Sequence, residues 1–310
     1  MRFNSAQIQK IGKEIRGKVD GKTLFDEFSR GRYSTDASVY QIKPLGVVLP
    51  KDTNDVLSLM EYSQKNSVPL LARGGGSSQC GQTVGESVVL DYSKHQNKIL
   101  ELNVEEKYVW VQPGVVLDHL NAYLKPHGLW FPVDVSTSSR ATIGGMSANN
   151  SCGSRSLYYG NMVHNVLAIE AILDDGSIFQ FDQINKNYLA TKNNQDRLYK
   201  IIDKFIDVRQ QVGSEIDANW PTTQRRVGGY NIDLIDPEGF NSSNLLVGSE
   251  GTLSLFNKIK LKLSEIPKNK ILGVCYFDNF HQAMELSKEI VKLKPTCVEL
   301  MDQNLLNLAK

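Results

Sequence analysis

"LLARGGGSSQCGQTVG", residues 70–85, runs from an apolar stretch into three consecutive glycines and then into small polar side chains. Each glycine costs conformational entropy on folding, so three in a row need a reason. The simplest is a close approach of backbone N–H groups to an anion. What flanks the loop decides the fold. Upstream, "GVVLP" (46–50) is β-branched and ends at Pro50, which marks a strand. "DTNDVLSLMEYSQKNS" (52–67) places Val56, Leu59, Met60 and Ser63 at helical spacing, with Thr53 or Asn54 as N-cap. "VPLLAR" (68–73) is a second strand. Strand, helix and strand form a compact βαβ unit with a parallel pair. The glycines then sit at the carboxyl end of a strand, where α/β sheets bind ligands.

Known phosphate loops do not fit. No long helix follows the glycines, as GxGxxG would require, because "QTVGESVVLD" (82–91) holds another glycine and then a strand. The Lys of a P-loop is absent as well. What remains is a nest of backbone N–H groups helped by the hydroxyls of Ser77 and Ser78, or a glycine-rich turn with no ligand at all.

Further along, "SVVLDYS" (87–93), "YVWVQPG" (108–114), "NVLAIEAILDDGSIFQF" (165–181) and "NLLVGSEGTLSLFNKIKLKL" (244–263) read as strands and hairpins. Leu117, Leu120, Tyr123 and Leu124 share one helical face, and "RLYKIIDKFIDVRQQV" (197–212) is another helix. From about Glu265 a new pattern begins: strand "ILGVCYF" (271–277), a helix over 280–292, then "CVELMD" (297–302).

The bulk numbers exclude several classes. A chain of 310 residues suggests two domains, and 41% hydrophobic with 22% charged residues is ordinary for a globular protein. A net charge of +1 without a basic run gives no support to nucleic-acid binding. No stretch of about 18 apolar residues predicts a transmembrane span, and the charged N-terminus is no signal peptide, so a cytoplasmic protein is expected. Cys80, Cys152, Cys275 and Cys297 form no CxxC pair, and His95, His119, His127, His164 and His281 show no ligand spacing, so no metal site is predicted.

Three more glycine stations follow the first: "TIGGMSANNSCGSRSLYYG" (142–160), preceded by "FPVDVSTSS" (131–139), then "RRVGGYNID" (225–233) and "VGSEGTL" (247–253). Side chains this small let a backbone approach a flat, wide ligand. In this order the motifs resemble the FAD-binding domain (PCMH type) of the vanillyl-alcohol oxidase family. Within it they are similar to the branch of D-lactate, glycolate and D-2-hydroxyglutarate dehydrogenases, over residues 25–265.

The resemblance implies an α+β, two-subdomain PCMH-type FAD-binding fold with the start of a C-terminal cap domain. Its parts would be an N-terminal helical segment (1–40), a first FAD subdomain (41–100), a second (101–265) and the opening of a truncated cap (266–310). Carried over by position, Arg73, Gly74, Gly75, Gly76, Ser77, Ser78 and Gln82 would hold the FAD pyrophosphate. Pro132, Asp134, Ser136, Thr142, Gly144, Gly145, Ala148, Asn150 and Gly153 would run along the flavin, with Glu250 and Gly251 supporting it from the other side. Some relatives attach flavin to a His in the first loop; Ser77 stands at that position, so non-covalent FAD is expected. Cys152 stands where glycine is common, and Cys80 where alanine is.

The implied activity is oxidation of a D-2-hydroxyacid by hydride transfer to FAD, with electrons passing to a quinone, an iron–sulfur partner or another acceptor. The catalytic base is not identifiable; Arg225 and Arg226, with forked guanidiniums suited to carboxylates, and Tyr230 are the local candidates. Any iron–sulfur cluster or divalent metal would belong to a C-terminal part beyond this sequence, and the chain is expected to be the N-terminal part of a longer enzyme, cytoplasmic or peripheral at the inner face of the membrane. The alternatives are a non-catalytic FAD-binding, electron-transfer subunit that needs a partner chain, and an NADPH-dependent flavin reductase of the same superfamily.

Overall fold

The computed structural model describes residues 3–191, 195–223 and 225–309. In chain order the strands are β1 (Lys22–Leu24), β2 (Gly46–Leu49), β3 (Leu70–Arg73), β4 (Val88–Asp91), β5 (Ile99–Asn103), β6 (Tyr108–Val111) and β7 (Leu129–Trp130). They continue with β8 (Val166–Ile172), β9 (Ile178–Phe181), β10 (Gln183–Asn185), β11 (Gly239–Asn241), β12 (Leu255–Lys262) and β13 (Ser264–Glu265). Two larger sheets result, one in the order β1-β2-β4-β3 and one in the order β5-β6-β12-β8-β9.

In the first sheet β2 and β3 run parallel, as the βαβ pattern predicts, but they are not neighbours. β4 lies between them and pairs in parallel with both. The crossover through the helix Thr53–Asn66 leaves room for one more strand, and the fully apolar "VVL" of β4 fills that buried place. The helix is capped by Asp52, whose carboxylate accepts from the N–H groups of Asn54 and Asp55, not by Thr53 or Asn54. The N-terminal helix Ser5–Arg16 packs Ile8, Ile11 and Ile15 into the same core as Val48, Val56, Leu59 and Leu90.

The second sheet is antiparallel throughout, with β12 between β6 and β8. Its core gathers Val109, Phe131, Ile143, Met162, Ile169, Phe181 and Ile259. Leu117, Leu120 and Leu124 point into this core, whereas Tyr123 is 46% exposed and off their face. Ile172 and Leu255 of the second sheet are buried in the core of the first, which joins the two halves through shared apolar contact. The helix Arg197–Gln211 covers a third cluster with Ile202, Ile206, Ile235 and Phe240.

The C-terminal segment behaves differently. "ILGVCYF" forms no strand and "CVELMD" none either; among the described residues no strand lies alongside to satisfy their backbone. The helix Phe280–Lys292 forms as expected but buries none of its residues.

Candidate flavin site

The three glycines after β3 are required first by the other half of the molecule. A Cβ on Gly74 would lie 2.0 Å from Thr142 Oγ1, and one on Gly75 would lie 2.2 Å from the carbonyl oxygen of Arg140. Side-chain-free backbone is what lets loop 74–76 touch segment 140–142. Gly76 adds a left-handed φ of +64°. Arg73 holds this loop from behind. Its guanidinium donates to the carbonyls of Thr35 (2.8 Å), Thr83 (3.1 Å) and Tyr33 (3.4 Å) and lies over the Tyr33 ring. Ser78 is taken up by a hydrogen bond from its hydroxyl to Gln82 Oε1, while Ser77 is half-buried in the loop.

Residues 33–42, which the sequence places in or beside an N-terminal helical segment, form a strap over this loop. Ala37 N–H donates to Gly76 O (3.2 Å), and the Asp36 carboxylate accepts from Thr83 Oγ1 (3.1 Å) and Ser38 N (2.8 Å). Tyr40 abuts Gly81, where a Cβ would lie 2.6 Å from its ring. Tyr33 donates to Asp91 at 2.6 Å; burial, and then that carboxylate, push its phenol well above the usual range. The turn-forming run "STDAS" (34–38) is the signal that marks this segment as something other than helix.

Thr142 caps the short helix Ile143–Ala148, accepting from Gly145 N at 3.3 Å. Gly144 fits because a Cβ there would lie 2.5 Å from Pro113 Cβ. Asn150 is fully buried with φ +49°, and it braces the site. Its Oδ1 accepts from Val163 N (3.0 Å), and its Nδ2 faces Asn231 Oδ1 (3.5 Å). Asn231 in turn donates to the carbonyls of Val247 (2.7 Å) and Asn244 (3.2 Å). The fourth station docks on the second through Gly248 N to Ser147 O (2.9 Å) and Glu250 N to Ala148 O (3.0 Å). Gln82 Nε2 then donates to Glu250 Oε1 at 3.2 Å and closes the ring back to the first loop.

These loops enclose a narrow cleft of about 80 Å³, lined among others by Gly74, Gln82, Gly145, Ala148, Glu250 and Gly251. A glycine cradle of this kind suits the pyrophosphate of a dinucleotide, most of whose bulk would lie outside so small a cleft. A second cavity of about 690 Å³, within the range of small-molecule sites, borders the same 142–153 segment at its far end. Asp134, Ser136, Cys152, Gly153 and Arg225 line it from one side, and Ser287, Val291, Val298 and Glu299 from the C-terminal segment. The larger cavity is therefore not the one the glycine loops form. Asp134 accepts from Ser154 Oγ and Arg155 N, both at 3.1 Å, and so folds loop 153–155 against residues 132–136. Pro132 is buried behind it.

The arginine pair is split. Arg226 forms an ion pair with Asp233 and lies over the Trp220 ring, whereas Arg225 makes no ion pair among the described residues and donates from Nε to Cys152 Sγ at 3.1 Å. Tyr230 shares a 2.8 Å hydrogen bond with Thr252 Oγ1. His164 Nδ1 accepts from Asn161 N (3.0 Å); burial, and then the nearby Arg226, hold its pKa below the ordinary value. Among the described residues no group of His, Cys, Asp or Glu could hold a metal ion, and no helix is long and apolar enough to cross a membrane.

The mixed helices and sheets form an FAD-binding PCMH-type fold. Residues 44–182 match the family described as an FAD binding domain, and the chain carries that domain. It is 34% identical over 300 residues to the D-2-hydroxyglutarate dehydrogenase of Escherichia coli (strain K12), covering 94% of this chain and 29% of that protein. The glycolate oxidase subunit GlcD of Bacillus subtilis (strain 168) is 30% identical over 303 residues, covering 96% of this chain and 54% of that one. Among solved structures, an alkyldihydroxyacetonephosphate synthase shares the fold with a TM-score of 0.63 at 18% identity, over 93% of this chain and 50% of the synthase. The chain thus spans under a third of the length of the D-2-hydroxyglutarate dehydrogenases it matches.

Proposed function

We propose that this chain is the flavin-holding part of an FAD-linked oxidoreductase acting on a D-2-hydroxyacid of the D-2-hydroxyglutarate, D-lactate or glycolate kind. The observation that carries the reading is the convergence of the glycine stations on one cleft, in a chain one-third identical to D-2-hydroxyglutarate dehydrogenases. Bound FAD would supply the acceptor for the α-hydrogen and its electron pair, and the hydroxyl proton would pass to a base on the enzyme or to water. The chain's own residues bind and orient. Gly74–Gly76 and Ser77 present backbone N–H groups and a hydroxyl to the pyrophosphate, and Arg73 with the 33–42 strap fixes the loop that carries them. Gly145, Ala148 and Gly251 keep the opposite wall flat.

Arg225 is the better of the two arginines for a substrate carboxylate, because it lines the larger cavity and Arg226 is already neutralised by Asp233. Asp134 and Glu299 line the same cavity, so an Arg225 fork there works against two carboxylates and selects for bidentate geometry. An electron acceptor such as a quinone or an iron–sulfur partner completes the turnover.

The test is anaerobic reduction of the FAD-loaded chain with a panel of D- and L-2-hydroxyacids. Loss of absorbance near ~450 nm with D-2-hydroxyglutarate, and not with its L enantiomer, is expected. Bleaching by NADPH in place of every hydroxyacid would overturn the reading in favour of a flavin reductase. No bleaching by either would favour an FAD-binding subunit completed by a partner chain, a reading that the exposed Ile271, Leu272 and Tyr276 support.

A further inference from the structure

We infer that Asn257, the extra residue of a β-bulge, is a positioning residue for the cofactor. It sets the spacing of the two halves across the glycine-lined cleft by holding Thr53 of the first half from an anchor on Glu170 of its own. Along β12 the pairing with β8 slips between Phe256, opposite Ala171, and Lys258, opposite Glu170. Asn257 is the residue left over. The slip re-phases the strand. Phe256 and Ile259 stand an odd number of residues apart, yet both enter the core of the second half, while Leu255 joins the core of the first. Without the extra residue the start of β12 would turn its side chains to the opposite faces. Leu255 and Phe256, in that start, also line the cleft.

Asn257 is 7% exposed, and a buried amide needs partners at both its ends. It finds one in each half. Its Oδ1 accepts from Thr53 Oγ1 at 2.8 Å, and its Nδ2 donates to Glu170 Oε1. The amide cannot be turned round, because an ionised carboxylate only accepts. Glu170 Oε2 pairs with Lys258 Nζ at 2.9 Å, so the anchor is itself held and its charge balanced. Thr53 is free for this reach because Asp52 caps the helix in its place. Thr53 follows β2 as the glycine loop follows β3, and both strands run parallel to β4. The bridge and the loop therefore stand on the same, carboxyl edge of the first sheet. Near the last turn of that helix, Gln64 Nε2 donates to the carbonyl of Asp174, between β8 and β9. The helix is thus gripped by the second half at both ends. A ligand that touches Gly74 and Gln82 on one wall and Gly145 and Glu250 on the other needs that spacing fixed before it binds.

This inference rests on FAD occupying the cleft, and the experiment separates the two. Wild type, Thr53→Val, Thr53→Ser, Asn257→Ala and the double variant Thr53→Val with Asn257→Ala are purified free of flavin. Each is titrated with FAD by quenching of flavin fluorescence. The visible circular dichroism of the bound flavin and the unfolding of the flavin-free chain in denaturant are measured alongside. Thr53→Val and Asn257→Ala are each expected to weaken FAD binding about fivefold, as when the binding-competent fraction falls to about one-fifth, and to change the dichroism. Thr53→Ser keeps the hydroxyl and should bind as wild type does. The double variant should bind no more weakly than Asn257→Ala, because both changes break the same bond. A bond that only stabilises the fold would lower the unfolding midpoint and leave the affinity and dichroism of the folded protein unchanged. That result in Thr53→Val overturns the inference, as does equal weakening by Thr53→Ser, or a double-variant effect equal to the product of the singles. If Asn257→Ala fails to fold, Thr53→Val and Thr53→Ser decide alone. Failure of wild type to bind FAD would overturn the inference together with the FAD assignment beneath it.

Discussion

The glycine-lined cleft and the segment from Ile271 onward were built by opposite means. Around the cleft, side chains are withheld so that two backbones can meet: Gly74 touches Thr142, Gly75 touches Arg140, and Gly144 touches Pro113. In the C-terminal segment apolar side chains are abundant, and none among the described residues is buried. Ile271 is 98% exposed, Leu272 87% and Tyr276 90%. The difference teaches that a local pattern becomes structure only where a distant part of the chain answers it. "GVVLP" and "ILGVCYF" look alike as strands, yet only the first has a neighbour, β4, to accept its hydrogen bonds.

The contrast can be broken at its strongest point first. Asn150→Ala removes the acceptor for Val163 N–H and the partner of Asn231 and leaves alanine in a left-handed backbone. A loss of about 2–4 kcal/mol in denaturant unfolding is expected, with weaker FAD binding. Gly75→Ala forces a Cβ into the Arg140 carbonyl, and about 1–3 kcal/mol should go. Gly273→Ala, with nothing within 4 Å of the added carbon, is its control and should stay within about 0.5 kcal/mol of wild type. Equal effects of the two glycine substitutions would erase the distinction drawn between the regions.

The smallest effect concerns pH. His164 is held below its ordinary pKa by burial and Arg226, so the folded protein prefers it neutral. The unfolded chain takes up the proton first as pH falls. Its contribution is therefore complete above about 6.5 and declines as pH drops below that value. Stability curves of wild type and His164→Gln should run parallel above that pH and converge below it. Parallel curves throughout would show that His164 titrates alike in the folded and unfolded chain, against the lowered pKa of the folded state.

Much of this was legible in the residues. The βαβ unit, the four glycine stations and the resemblance they carry all rest on local patterns, and the family match over residues 44–182 agrees with them. Less legible was what each residue touches. Arg73 reads as a phosphate ligand beside glycines, but its guanidinium is committed to three carbonyls of the 33–42 strap and Thr83. Asn150 reads as a flavin contact but braces three loops from within. The insertion of β4 between β2 and β3 is a matter of sheet order, which no local spacing encodes.

The central claim is that this chain holds FAD in the cleft without a covalent bond. Purified chain, mixed with FAD and passed through a desalting column, should elute yellow with absorbance near ~450 nm. After denaturation all of that colour should pass a membrane that retains protein, since Ser77 offers no attachment point. A colourless eluate would contradict the claim outright, and colour that stays with the denatured chain would contradict the non-covalent part of it.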